Sequence, residues 1–200
     1  MFILGLTGSV GMGKSTAASM FRQLGVPVHD SDAAVHRLLA PGGAAVPAVA
    51  AAFPGVTDKQ GGIDRGTLGA RVFGDGRALK RLERILHPFV RRSQARFLKQ
   101  ARARRVPLVV LDIPLLFETG GEKRCDAVVV VWAPPWVQRA RVMARPNMTE
   151  GRFRAILAKQ MPDREKRRRA DYIVPSGVGR AVTYRRLMRL VRTLRASGSS

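Results

Sequence analysis

The sequence predicts an α/β fold built on a parallel sheet, and three observations carry that prediction. Short apolar runs rich in β-branched residues alternate with helical patterns along the chain. Two of them, Val109-Val110-Leu111 and Val128-Val129-Val130-Val131, are continuously apolar, as strands covered on both faces are. The third observation is the octapeptide Gly8-Ser9-Val10-Gly11-Met12-Gly13-Lys14-Ser15, set between a strand-like run and a helix-like run. Two glycines with four residues between them, then Lys and a hydroxyl, form a phosphate-binding loop in that setting.

Taken in order, residues 2–6 form a buried strand entering the loop, and 16–21 the helix leaving it. Further strands are expected at 26–29, 108–113, 127–132 and 172–174. Five strands joined through helices predict a P-loop NTPase-type parallel sheet flanked by helices, with its ligand at the carboxyl ends of the strands. Residues 40–105 break the alternation: they hold no good strand, two glycine-rich loops and a helical pattern through Leu79, Leu82, Leu86, Phe89 and Val90. Pro88 inside that pattern predicts a kink or a break. A second helical segment, 136–169, follows the fourth strand, and the last helix shows apolar positions at Leu187, Leu190, Val191 and Leu194. Ser197-Gly198-Ser199-Ser200 reads as a frayed tail. The expected organisation is one kinase-like domain: a core of 1–39, 106–135 and 170–196, a helical insertion at 40–105 and a lid at 136–169.

Two hundred residues with 46% hydrophobic and 25% charged content suit one soluble globular domain. No apolar run approaches the ~20 residues of a membrane-spanning helix. The N-terminus lacks the basic segment of a signal peptide, and Cys125 is the single cysteine, so a cytoplasmic protein is expected. The net charge of +22 suits a polyanionic partner. Eleven Lys/Arg against three acids fall between Trp136 and Ala170, interleaved with apolar residues as on a folded amphipathic surface. Aromatic residues are only 6%, which supplies few stacking platforms for single-stranded nucleic acid.

The chemistry expected of the loop follows from its residues. Gly8, Gly11 and Gly13 let backbone N–H groups of the loop, Met12 included, turn inward around the phosphates of ATP. The helix starting at Ser15 and Thr16 aims its positive end at the same anion. Lys14 brings a full charge to the β- and γ-phosphates, and Ser15 a hydroxyl ligand for Mg²⁺. Asp112, at the end of the third strand, is the second magnesium candidate, acting through water. In His29-Asp30-Ser31-Asp32 both acids fall at a strand's carboxyl end; either can accept the acceptor's proton, and either can instead cap the helix that follows. Arg139, Arg141 and Arg145 follow the fourth strand, with Arg141 and Arg145 sharing a helix face. A basic segment closing over the phosphates neutralises transition-state charge and excludes water. The three histidines are too scattered for a metal site.

With these motifs assembled, the chain resembles the bacterial dephospho-coenzyme A kinases over about residues 2–195. The resemblance rests on Gly5-Leu6-Thr7-Gly8 with Gly11-Met12-Gly13-Lys14-Ser15-Thr16, Asp30-Ser31-Asp32-Ala33, Leu86-His87-Pro88 and Asp112-Ile113-Pro114-Leu115-Leu116-Phe117-Glu118. Gln138 with Arg141 and Arg145, Gln160-Met161-Pro162, Lys166-Arg167 and Ala170-Asp171-Tyr172 complete it. It implies ATP-dependent phosphorylation of the ribose 3′-hydroxyl of dephospho-CoA, giving CoA and ADP. It further implies that Gly11 to Thr16 hold ATP, assisted by Arg145, that Lys14 and Arg141 serve catalysis, and that Asp32 rather than Asp30 is the base. Asp30, His87, Arg91, Pro114, Leu115 and Glu118 are then expected to hold dephospho-CoA. Where many relatives carry Asp-Asn before a glycine, this chain has Val174-Pro175-Ser176-Gly177, and Pro175 cannot read a base edge as an asparagine can. The residues alone fit another nucleoside monophosphate or small-metabolite kinase nearly as well, and the charge alone a nucleotide-regulated nucleic-acid-binding protein. A monomer or weak homo-oligomer is expected, with no membrane partner.

Overall fold

The computed structural model describes residues 1–197 and holds two compact units. The first comprises Met1–His29 and the chain from Ala101 onward; the second is Asp30–Gln100.

The first unit is built on five parallel strands: β1 (Phe2–Thr7), β2 (Val28–Asp30, whose last residue opens the second unit), β3 (Leu108–Asp112), β4 (Ala127–Trp132) and β5 (Tyr172–Pro175). Their order is β2-β3-β1-β4-β5, with β1 central. Leu6 pairs with Asp112 across to β3, and Thr7 with Val130 across to β4, so the carboxyl ends of β1 and β3 lie level. β2 starts two residues later than the sequence suggests because Pro27 has no N–H for the ladder; its carbonyl still accepts from the Val110 N–H at 2.9 Å. Every residue of β3 is buried, as are the first five of β4, which explains their uninterrupted apolar sequence.

One face of the sheet is covered by α1 (Lys14–Gln23) and α9 (Arg180–Ser197). Ala17, Ala18, Met20 and Phe21 of α1 and Leu187, Leu190, Val191 and Leu194 of α9 form a core with Leu4, Leu6, Val110, Val129 and Val131. These residues recur at helical spacing in α9, the pattern legible in the sequence. Leu194 is 2% exposed and anchors the last turn, so α9 includes Ser197, the first residue of the expected frayed tail; 198–200 lie outside the described residues. Between β4 and β5 run α6 (Pro135–Met143), α7 (Glu150–Ala158) and α8 (Asp163–Arg169). Thr149 caps α7 by accepting from the Arg152 N–H.

The second unit is helical: α2 (Ser31–Leu39), α3 (Val46–Ala52), α4 (Arg65–Val72) and α5 (Gly76–Ala103), which runs on past the unit's end. Its own core gathers Leu39, Val49, Phe53, Val56, Ile63, Leu68, Leu82 and Leu86. Of the kink or break expected at Pro88, the break does not occur: α5 runs 28 residues through it. Proline removes one ladder hydrogen bond and crowds one carbonyl. Burial of Leu86, two residues before it, and of Leu82, six residues before it, holds the helix together across that position.

Candidate functional site

The loop of the first unit takes its shape from two glycines. Gly11 (φ +77°) and Gly13 (φ +87°) are left-handed, and a Cβ on Gly11 would stand 2.5 Å from a Val142 methyl. Gly13 is the N-cap of α1, so the loop turns directly into the helix whose first residues are Lys14, Ser15 and Thr16. No side chain caps that end, and no acid lies in the first turn, leaving its amide donors and positive pole for an anion. Lys14 Nζ lies 2.7 Å from Asp112 Oδ1, an ion pair in which Asp112 is 2% exposed. The level ends of β1 and β3 put the two side chains together. The Ser15 hydroxyl and the Asp112 carboxylate are hard oxygen donors of the type Mg²⁺ takes. Among the described residues no cluster of three His, Cys, Asp or Glu side chains offers an all-protein metal site.

The outer side of the loop is held by side chains far away in sequence. Ser176, one residue past β5, donates its hydroxyl to the Met12 carbonyl at 2.6 Å. Arg141 Nη1 donates to Ser176 Oγ at 2.9 Å and to the Gly11 carbonyl at 3.4 Å, while Nη2 donates to the Ser176 carbonyl at 2.7 Å. Arg141 thus bridges α6, the loop and the end of β5. The Val10 N–H donates to Gln160 Oε1, and the Val10 carbonyl accepts from Gln138 Nε2. Arg145 lies exposed just past α6. The Asp163 carboxyl is held above its usual range by burial, against the opposing influence of Arg167, Lys166 and the Ser9 hydroxyl. Arg167 lies over the Trp132 ring, 4.9 Å from its centroid.

The stretch after β3 is tied down from both sides. Thr7, fully buried, donates its hydroxyl to the Pro114 carbonyl at 3.0 Å. Pro114 and Leu115 keep partly exposed side chains. Glu118 Oε1 accepts from the Met161 N–H at 2.8 Å and pairs with Lys166 Nζ at 2.9 Å, where Lys166 is wholly buried. Glu118, which the resemblance expects to hold the acceptor, thus also ties the segment leading into α8 to the stretch after β3.

In the second unit the Asp30-Ser31-Asp32 motif splits its duties. Asp30 is the N-cap of α2 and accepts from the Ala33 N–H at 2.9 Å. Asp32 lies in the first turn and is exposed, so the capping role belongs to Asp30. On α5, His87 and Arg91 are exposed, one turn apart. Gln94, on the same face and 6% exposed, donates to the Ser31 hydroxyl at 3.4 Å, tying α5 to the start of α2.

Sequence reasoning missed Ser176, Gln94 and the anchoring role of Lys166. Ser176 lies just past β5, and no local pattern in the sequence marks its hydroxyl as a partner of the loop.

Residues 2–179 match the family model described as dephospho-CoA kinase. A dephospho-CoA kinase of Paramagnetospirillum magneticum is 66% identical over 167 residues, 84% of this chain and 78% of the relative. One from Mesorhizobium japonicum is 62% identical over 179 residues, 90% of this chain and 89% of its own length. The crystal structure of TT1252 from Thermus thermophilus superposes with a TM-score of 0.83 at 36% identity, covering 96% of both chains. A dephospho-CoA kinase structure from Campylobacter jejuni shares the fold, with a TM-score of 0.63 at 24% identity over 96% of both chains.

Proposed function

The chain belongs to the dephospho-CoA kinase family, and we propose on that premise that it transfers the γ-phosphoryl group of ATP to the ribose 3′-hydroxyl of dephospho-CoA, giving CoA and ADP. The observation that carries the reading is the loop Gly8–Ser15 between β1 and α1, with Lys14 held by Asp112 at the carboxyl end of the neighbouring strand.

Each residue's role follows from its chemistry. The loop amides from Gly11 to Thr16 and the start of α1 receive the phosphates, and Lys14 adds the point charge that a transferring phosphoryl group needs. Ser15 and Asp112 hold Mg²⁺, which supplies charge neutralisation at the phosphate oxygens when bound. Arg141 and Arg145 neutralise further charge from the helical segment 136–169, which serves as a lid. Asp32 accepts the proton of the 3′-hydroxyl as the new O–P bond forms and the bond to ADP breaks. Residues 40–105, with Asp30, His87 and Arg91, together with Pro114 and Leu115, hold the acceptor. The site of action is the cytoplasm, where ATP is supplied; no helix among the described residues is long and apolar enough to cross a membrane.

The test is a product assay with ATP·Mg²⁺ and a panel of acceptors. Binding energy from the diphosphate and pantetheine arm positions the reacting hydroxyl. Dephospho-CoA is therefore expected to show far higher kcat/KM than adenosine, AMP, shikimate or gluconate, with ³¹P NMR placing phosphate on the ribose 3′-oxygen. A smaller acceptor that matches dephospho-CoA would overturn the assignment.

A further inference from the structure

Val10, in the middle of the phosphate loop, has both its backbone polar groups held by side chains. Its N–H donates to Gln160 Oε1 at 3.1 Å, and its carbonyl accepts from Gln138 Nε2 at 2.8 Å. A backbone N–H only donates and a carbonyl only accepts, so chemistry fixes which way each amide points. Gln138 is 7% exposed and lies on α6; Gln160 follows α7 and is partly exposed. The two side chains therefore stand at the two roots of residues 139–159 and meet on one residue of the loop.

The position they grip matters. The next residue, Gly11, and then Gly13, hold left-handed backbone conformations. A glycine-rich loop loses much conformational freedom when fixed in a single shape. Apparent affinity for a ligand falls in proportion to the fraction of molecules in the binding shape. Bonds that fix Val10 raise that fraction without touching the nucleotide. We propose that Gln138 and Gln160 are positioning residues that preorganise the phosphate loop for ATP, one as a hydrogen-bond donor and the other as an acceptor. The inference rests on the kinase reading of the loop and extends it to two residues that contact only its backbone.

The opposite polarity of the two bonds gives a crossed test on the full chain, using Gln138→Met, Gln138→Glu, Gln160→Met and Gln160→Glu. Methionine removes either bond at similar size, and ATP Kd from calorimetry is expected to rise about 3–10-fold, the worth of one neutral hydrogen bond. Glutamate at 160 still accepts, so Gln160→Glu binds ATP more tightly than Gln160→Met. Glutamate at 138 has no proton to give and faces a carbonyl, so Gln138→Glu binds more weakly than Gln138→Met. The deficit of Gln138→Glu relative to the parent shrinks as pH falls and its carboxyl regains a proton. KM for ATP follows Kd, while kcat at saturating ATP changes less. Should Gln138 variants fold poorly, the order of the two Gln160 variants decides alone. Glutamate weaker than methionine at both positions would reveal a charge effect and overturn the proposal. Unchanged ATP Kd in the folded variants would overturn it equally. ATP binding is read without acceptor, so failure of the acceptor assignment appears separately, as absent turnover with the Kd order intact.

Discussion

Lys14 Nζ lies 2.7 Å from Asp112 Oδ1, so the basic side chain of the loop is held across two adjacent strand ends by a carboxylate that is 2% exposed. The pair fixes the lysine at the start of α1 beside the loop, where the proposed mechanism needs its charge, and it gives Asp112 a charge partner at a buried position.

Lys14→Ala is therefore expected to lower kcat by ~10²–10³, the usual cost of losing one electrostatic clamp on a developing charge. Circular dichroism should keep the parent's shape because Lys14 is outside both apolar cores, while Tm falls as Asp112 loses this charge partner. A folded variant with normal turnover would remove the loop from the mechanism.

Asp30 and Asp32 separate cleanly. Asp30→Ala removes the cap that receives the Ala33 N–H and should cost about 1 kcal/mol of stability, read as a lower Tm. Asp32→Asn touches an exposed first-turn residue and should lower kcat with no matching loss of Tm. A large Tm loss with normal kcat in Asp32→Asn would take the base away from Asp32.

Glu118 and Lys166 should behave as one structural unit. Lys166→Met or Glu118→Gln alone leaves the other charge without this partner at a buried position, a change that typically costs 3–5 kcal/mol. The double variant Glu118→Gln/Lys166→Met should recover most of that loss in chemical denaturation. A Glu118→Gln protein of normal stability but raised KM for dephospho-CoA would instead support the acceptor-binding role expected of Glu118.

Cys125 carries a pH-dependent contribution. Burial pushes its thiol up from 9.0 to about 11, with Arg124 opposing and Asp126 and Glu122 adding to the rise. The unfolded chain releases this proton first, so the contribution is intact below about pH 9 and lost as pH rises through about 11. Stability of the parent should fall more steeply than that of Cys125→Ser across this window. Alkylation of the native thiol near neutral pH should also be slow, since the thiolate is the reactive form.

The sheet was legible because its strands are contiguous apolar runs and its loop is one unbroken octapeptide. The side chains that hold the loop were not, since Gln160 and Ser176 lie about 150 residues or more from the backbone groups they bind. No local pattern encodes a contact that only the stacking of β1, β4 and β5 creates. Pro175 drew attention as a departure from relatives, whereas the hydroxyl that reaches the loop belongs to its neighbour. Asp30 and Asp32 are chemically equivalent in sequence, and only the observed start of α2 tells cap from exposed acid. At Pro88 local rules allow a kink or a break, and only the break is excluded, because α5 continues through it.

Arg195, near the end of α9, donates through Nη2 to the carbonyls of Leu24 and Gly25 at 3.2 and 3.1 Å. Those carbonyls close the far end of α1, about 15 Å from the end that opens onto the phosphate loop. A helix that presents its positive pole to a polyanion has its negative pole answered by a guanidinium from the last helix of the chain. The loop end and the Leu24–Gly25 end are the two poles of α1, and Arg195 of α9 answers the second. A change that removes Arg195 takes away the donor to these two carbonyls, whereas a change beyond Arg195 leaves it in place.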